Sequence, residues 1–310
     1  PSNLQTGQIW YNTTSTVIKG SATSVAAGAW SSGGALNGVK GSAGQAAASN
    51  STGLIFAGST PSQVDETESY DGSTWTEVAD LNTSGTYGQG AGTQGAALFY
   101  SRSNPSSPNW QKTESWDGTS WTETADLNTA RIYGGGGGIQ TAAICAGMNV
   151  PPSANPNLST ESWNGTSWSE ISNINSYRNY VAYAGSTNTD NIVFGGTSAS
   201  ALTESWDGST WTEVGDLNTG ASELGGAGAS SSSALKFGGY TTAPTVTVNT
   251  EFFNGTSWTE LANLATARAN VAIGGGNAAS TLSTGGYTTT YVDTVEEWAS
   301  GSATQTFTAS

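Results

Sequence analysis

Hydrophobic and polar residues alternate along this chain in short bursts, and no stretch carries the 3.6-residue recurrence of a long amphipathic helix. The clearest burst is TESWDGTSWTETADLNT, residues 113–129. TESW alternates, and so does the returning WTET. The Asp-Gly between them favours a tight turn, because Gly, Asn and Asp tolerate positive φ. The phrase predicts a β-hairpin in which residues five apart share a face, so that Trp116 and Trp121 form a cross-strand aromatic pair. Near copies start at Thr67, Thr160, Thr203 and Thr250. The Trp that lies six residues before a Leu or Ile recurs at 30, 75, 121, 168, 211 and 258, at intervals of 45, 46, 47, 43 and 47 residues. Its partner aromatic is Tyr70, Trp116, Trp163, Trp206 or Phe253, and Trp298 is a sixth copy of that partner.

Between hairpins lie Gly/Ala/β-branched runs such as GGIQTAAICAG (137–147) and NIVFGG (191–196), several ending in a glycine pair. Four short strands (a to d) per period of about 46 residues is the pattern of a β-propeller blade. The anchor Glu of strand c occurs six times, at Glu68, Glu114, Glu161, Glu204, Glu251 and Glu296. The expected fold is therefore all-β, a six-bladed propeller over residues 29–310, with an N-terminal attachment segment over 1–28. The last blade reaches strand c at Trp298 and lacks a strand d of its own. AWSSGGAL (29–36) matches strand d, and Trp30 and Leu36 keep the spacing of Trp75 and Leu81, so an N-terminal strand is expected to close the ring. TQTFT (304–308) is the rival.

Composition removes many functions. The net charge of −15 argues against nucleic acid and anionic membrane surfaces. No apolar run is long enough to span a bilayer, and no signal-peptide pattern is visible. Histidine is absent, which removes Ser-His-Asp and Cys-His systems and Cys/His zinc sites. The lone Cys145 reads as a small buried hydrophobe. Repeated Asp and Glu residues read as solvated or turn-capping, because six symmetric copies around a ring do not converge on one point. The run Gly134–Gly138 lacks the following Lys-Ser/Thr of a P-loop and reads as close packing near the axis. No catalytic residue, metal or cofactor is expected.

The glycine pair ending strand b, the aromatic of strand c and the Trp of strand d together resemble kelch repeats over about residues 29–298, with a shorter c–d turn. The phrase TESWDGTSWTEVADLNTAR, in idealised form, resembles repeats of structural proteins of marine bacteriophages. TGQIWYNTTSTVIKG (6–20) resembles a hairpin near the start of phage tail-fibre and appendage proteins. SWDGTSW resembles the sialidase Asp-box but lacks one residue, and that box is a structural turn. The resemblance implies a non-enzymatic virion protein. Its partners would be other virion proteins or further copies of itself, together with a host-surface glycan or protein. The alternatives are a capsid or tail decoration protein and a sialidase-like glycan hydrolase; galactose-oxidase-like chemistry is excluded by the missing histidine.

Loops locate the expected recognition face. In a four-stranded blade the a–b and c–d turns share one face, and the b–c and d–a connections share the other. The c–d turns are near-uniform (DGST, DGTS, NGTS), whereas the six b–c loops all differ and hold seven of the eight prolines. Proline stiffens such loops, and binding residues concentrate on loops held by a rigid scaffold. The candidates on that face are Arg102, Trp110, Arg131, Arg178, Tyr240, Arg268, Tyr287 and Tyr291. The competing reading of Arg131, Arg178 and Arg268, equivalent positions four residues after Leu127, Ile174 and Leu264, is that they cap blade carbonyls.

Overall fold

The computed structural model describes residues 9–14, 17–104, 110–147, 149–150, 155–272 and 276–307. Its strands form a six-bladed β-propeller. Five blades are complete four-stranded antiparallel sheets in a–b–c–d order, spanning residues 44–78, 89–123, 135–171, 182–213 and 225–260. In the first, Gly44–Ser49, Thr52–Phe56, Thr67–Tyr70 and Trp75–Val78 are strands a to d. The apolar stretch 137–147 is not one strand. It holds parts of two, Gly135–Ile139 and Ala142–Ala146, joined by a tight turn at Gln140.

The hairpin register matches the pattern of the chain. Tyr70 faces Trp75, Trp116 faces Trp121, Trp163 faces Trp168, Trp206 faces Trp211 and Phe253 faces Trp258. Ring centroids in these pairs lie 4.7–5.5 Å apart. Each strand-d Trp also joins two blades. Trp121 packs edge-on against Phe56 of the preceding blade at 4.9 Å, and its indole N–H donates to Thr67 Oγ1 at 3.0 Å. Trp168 repeats this with Tyr100 and Thr113, and Trp258 with Phe194 and Thr203. Such pairs contribute roughly 0.5–1.5 kcal/mol each beyond the area they bury.

The N-terminus closes the ring. Val17–Ser32 runs antiparallel to Val295–Phe307, and Trp30 sits opposite Trp298. Trp30 then reproduces the inter-blade contacts of its equivalents, with Phe237 at 5.0 Å and Thr250 Oγ1 at 2.9 Å. Residues 273–275 lie outside the described residues. On either side of them Ala272 N–H donates to Thr284 O and Asn277 bridges Ser280. The stretch 304–307 does not close the ring. It pairs with residues 18–21 of the same N-terminal strand, which continues past the blade and hairpins with Ile9–Asn12. The expected boundary at 28/29 thus falls inside one strand, at a register shift between Ser24 and Ala29.

The glycine pairs that end strand b have a backbone cause. Gly285 and Gly286 lie at φ 60° and 110°, and Gly195 and Gly196 at 74° and 118°. The chain turns there out of strand b against the next d–a connection, in a region that L side chains rarely enter.

Candidate functional site

The two faces of the ring are built differently. On the c–d face, each turn is capped by its own first residue. Asp71 Oδ1 accepts from the amides of Ser73 and Thr74 at 2.9 and 2.8 Å, and Asp117, Asn164, Asp207 and Asn254 do the same in their blades. These bonds favour the carboxylate, so Asp71 and Asp207 are pulled down to about 2. The amide of Thr74 contributes most for Asp71 and that of Thr210 for Asp207. The turns are locally self-satisfied and nearly identical, and they present no convergent group.

The repeated glutamates are not solvated, contrary to the sequence reading. All six are buried, with exposures of 0–3%. Each faces a cation: Lys40–Glu68 at 3.2 Å, Arg102–Glu114 at 2.8 Å, Arg131–Glu161, Arg178–Glu204 at 2.5 Å, Lys236–Glu251 at 3.8 Å and Arg268–Glu296 at 3.1 Å. A buried charge is tolerated only when paired and hydrogen-bonded. The rest of each carboxylate accepts from the chain linking the preceding blade: Asn128 N–H and Nδ2 at 2.8 and 2.9 Å for Glu161, with Asn37, Asn82, Asn175 and Asn218 equivalent.

This placement corrects four of the recognition candidates. Arg102, Arg131, Arg178 and Arg268 are no more than 2% exposed, so none presents its guanidinium to the face. Arg131 also donates to the carbonyls of Thr129 and Ser159, and Arg178 to that of Leu202. Carbonyl capping is thus part of their role, with the ion pair as the larger part. Four of the six cations come from the same repeat position, four residues after Leu36, Leu127, Ile174 and Leu264. Where that position is Gly85, a side-chain carbon would fall 2.8 Å from Arg102 Cδ: Arg102 arrives from the b–c loop and fills the missing arginine's place. Where it is Ala221, Lys236 enters from strand b.

The other face carries the varied chemistry. Isolated bridges set five of the six d–a connections beside a b–c loop: Gly41 with Ser59, Thr86 with Ser103, Ile132 with Asn149, Ser222 with Tyr240 and Ala269 with Tyr287; in the sixth, Thr197 N–H donates to Asn179 O at 2.9 Å. Where the d–a connections reach the axis, twelve residues after each marker Trp, stand Ser42, Tyr87, Tyr133, Tyr180, Glu223 and Asn270. All six have left-handed φ between 53° and 61° although none is glycine. Backbone strain of this kind, of order 1–3 kcal/mol per residue, persists only where the surroundings enforce it. Here five amide bonds between neighbouring positions around the axis do so. Tyr87 N–H donates to Ser42 O, Tyr180 to Tyr133, Glu223 to Tyr180, Asn270 to Glu223 and Ser42 to Asn270, at 2.8–2.9 Å.

This rosette lines a depression on the axis with only about 10 Å³ left between its side chains. Tyr133 and Tyr180 stack at 4.7 Å, and Tyr87 meets them edge-on at 5.0 and 5.8 Å. Burial pushes the Tyr87 phenol up to about 12 and raises Tyr180 as well, so both are neutral hydroxyl donors. Burial also raises the Glu223 carboxyl, against the bond donated by Asn270. Next to the rosette, a groove of about 200 Å³ is lined by Ser198, Ser222, Tyr240, Thr241 and Thr242. Below the rosette, a second cavity of about 200 Å³ follows the axis between strands a and is lined mainly by Gly and Ala. The glycines of 134–138 are there because the blades crowd: a side chain on Gly135 would enter the Tyr183 ring, and one on Gly136 would meet the Tyr100 hydroxyl.

Of the remaining candidates, Tyr240 borders the groove, and Tyr287 and Tyr291 pack edge-on against each other at 5.5 Å, all half-buried on this face. Trp110 is half-buried in the blade 2 loop, immediately after 105–109, which lie outside the described residues, as do Pro151 and Pro152. Cys145 is buried, and burial pushes its thiol up to about 12. Among the described residues no group of His, Cys, Asp and Glu could hold a metal, and no helix is long and apolar enough to cross a membrane.

The fold and this site define the class as a six-bladed β-propeller with one uniform and one varied face. No protein-family model matches the chain, and no curated protein matches its sequence. A solved structure of YjhT is similar to it, with a TM-score of 0.67 over 84% of this chain and 95% of that one, at 14% identity. At that identity the likeness carries the fold alone.

Proposed function

We propose that this propeller is a non-enzymatic recognition protein whose b–c and d–a face binds a host-surface glycan, and that it serves as an appendage or tail-fibre component of a bacteriophage particle. The observation that carries the binding reading is the asymmetry of the ring. One face repeats the same capped turn, while the other holds Tyr87, Tyr133 and Tyr180 in the axial depression, Tyr240 on the neighbouring groove, and the Tyr287–Tyr291 pair. Tyrosines offer flat apolar faces and hydroxyls together, which suits stacking on sugar rings and hydrogen bonding to their hydroxyls. The arginines that a sialidase-like reaction would need are held in the buried ion pairs.

The virion reading rests on the likeness of TGQIWYNTTSTVIKG and of the repeat to phage structural proteins. The N-terminal ribbon beyond blade 6 is a suitable attachment element, because it leaves the varied face free. The same protein acting only through protein–protein contacts, as a capsid or tail decoration, is the second reading. A glycan array, backed by a host-cell adsorption assay, tests the first. Wild type is expected to bind, with Trp110→Ala and Tyr287→Ala each losing at least tenfold. Unchanged binding in both variants would remove the site from this face.

A further inference from the structure

Glu223 is the one half-buried carboxylate of the axial rosette, and its surroundings differ from those of every buried glutamate in the molecule. The six repeat glutamates each have a lysine or arginine. Those pairs use six of the eight basic side chains of the chain. Of the other two, Lys112 pairs with Glu123 at 3.1 Å on the rim, and Lys19 lies in the N-terminal ribbon. Glu223 is left with the Asn270 amide and with tyrosines. It lines the axial depression together with Tyr87, Tyr133 and Tyr180. A carboxylate lining a depression with three tyrosines, in a chain of net charge −15, is a receptor for a positive group. Ring faces attract cations, a carboxylate completes the pair, and the field of the protein draws cations in.

The neighbouring groove says what carries the cation. Ser222, adjacent in the chain to Glu223, forms a bridge with Tyr240 and opens onto Ser198, Thr241 and Thr242. Those groups are neutral hydroxyls, matched to sugar hydroxyls rather than to a second charge. We infer that the face recognises an amino sugar with a free ammonium group, which rests on Glu223 and the Tyr87, Tyr133 and Tyr180 rosette while the sugar ring lies along the groove. This rests on the glycan-binding reading above and specifies its ligand. The shallow rosette favours a small ammonium at the mouth over a bulky quaternary cation inside, since only about 10 Å³ is open between the side chains.

The test uses the full chain and two oligosaccharides, a glucosamine oligomer with free amines and the same oligomer fully N-acetylated, titrated by calorimetry. Acetylation removes the charge and leaves the ring hydroxyls, so the contrast needs no variant. The free-amine oligomer is expected to bind at least tenfold more tightly. Glu223→Gln, at an unchanged melting temperature, is expected to abolish that preference, and Tyr180→Leu to weaken the free-amine form. Equal or tighter binding of the acetylated oligomer, or a preference that survives Glu223→Gln, would overturn the ammonium assignment. Acetylated binding as tight as that of the free-amine form, and lost in Tyr287→Ala, would overturn it while leaving the glycan face standing. If neither oligomer binds, the inference fails, and the array decides the broader reading separately.

Discussion

Deleting residues 29–37 is expected to cost about 5 kcal/mol or more, read as the midpoint of a urea melt followed by tryptophan fluorescence. The segment supplies the blade 6 part of strand d, opposite Trp298, together with the Trp30 contacts to Phe237 and Thr250. It also supplies Leu36, 5% exposed in the core between the last and first blades, and Asn37, which donates to Glu68. Removing one large core side chain costs roughly 2–5 kcal/mol, and the deletion removes two along with a ladder of backbone bonds. Net domain stability is only about 5–15 kcal/mol, so the open ring would be marginal. Truncation after Ala303, which removes the 304–307 pairing outside the blade, is expected to cost much less. An unchanged midpoint for the 29–37 deletion would mean that the ring does not depend on its N-terminal strand.

Arg131→Met is expected to destabilise the fold by about 3–5 kcal/mol, the usual cost of leaving a buried charge without its partner. Glu161 would remain buried with only the Asn128 and Thr129 donors, and the carbonyls of Thr129 and Ser159 would lose a donor. Arg131→Lys should fall between the variant and wild type. Lysine keeps the charge, as Lys40 and Lys236 do in their blades, but lacks the planar fork that reaches Glu161 and two carbonyls at once. Guanidinium or urea melts of the three proteins check the order. A methionine variant as stable as wild type would show that the pairs are dispensable.

Blade number, hairpin register and ring closure were legible in the chain because local rules impose them. An Asp-Gly turn fixes which residues oppose each other, so Trp116 and Trp121 follow from spacing alone. The spacing of Trp30 and Leu36 identified the closing strand for the same reason. The role of the arginines was legible only in part: carbonyl capping could be read from the repeat, the buried ion pair could not. Arg131 and Glu161 are 30 residues apart, and their meeting depends on how one blade's exit packs on the next blade's strand c. The replacement of a missing arginine by Arg102 above Gly85, or by Lys236, exists only in three dimensions. The rosette was visible in principle, since its six positions follow each marker Trp by twelve residues. A position holding Ser, Tyr, Tyr, Tyr, Glu and Asn carries no motif, and only the shared left-handed backbone makes it one element.

The claim that the varied face binds and the uniform face does not can be tested with one blocking measurement. The single native cysteine is buried, so an introduced cysteine can be labelled selectively with a bulky polyethylene glycol maleimide. Thr242→Cys places the polymer on the exposed rim of the groove, and Thr119→Cys places it on an exposed c–d turn. Labelling at 242 is expected to abolish binding to glycans and host cells, and labelling at 119 to leave it intact. Binding that survives the polymer at 242, or is lost only with the polymer at 119, would contradict the assignment of function to this face.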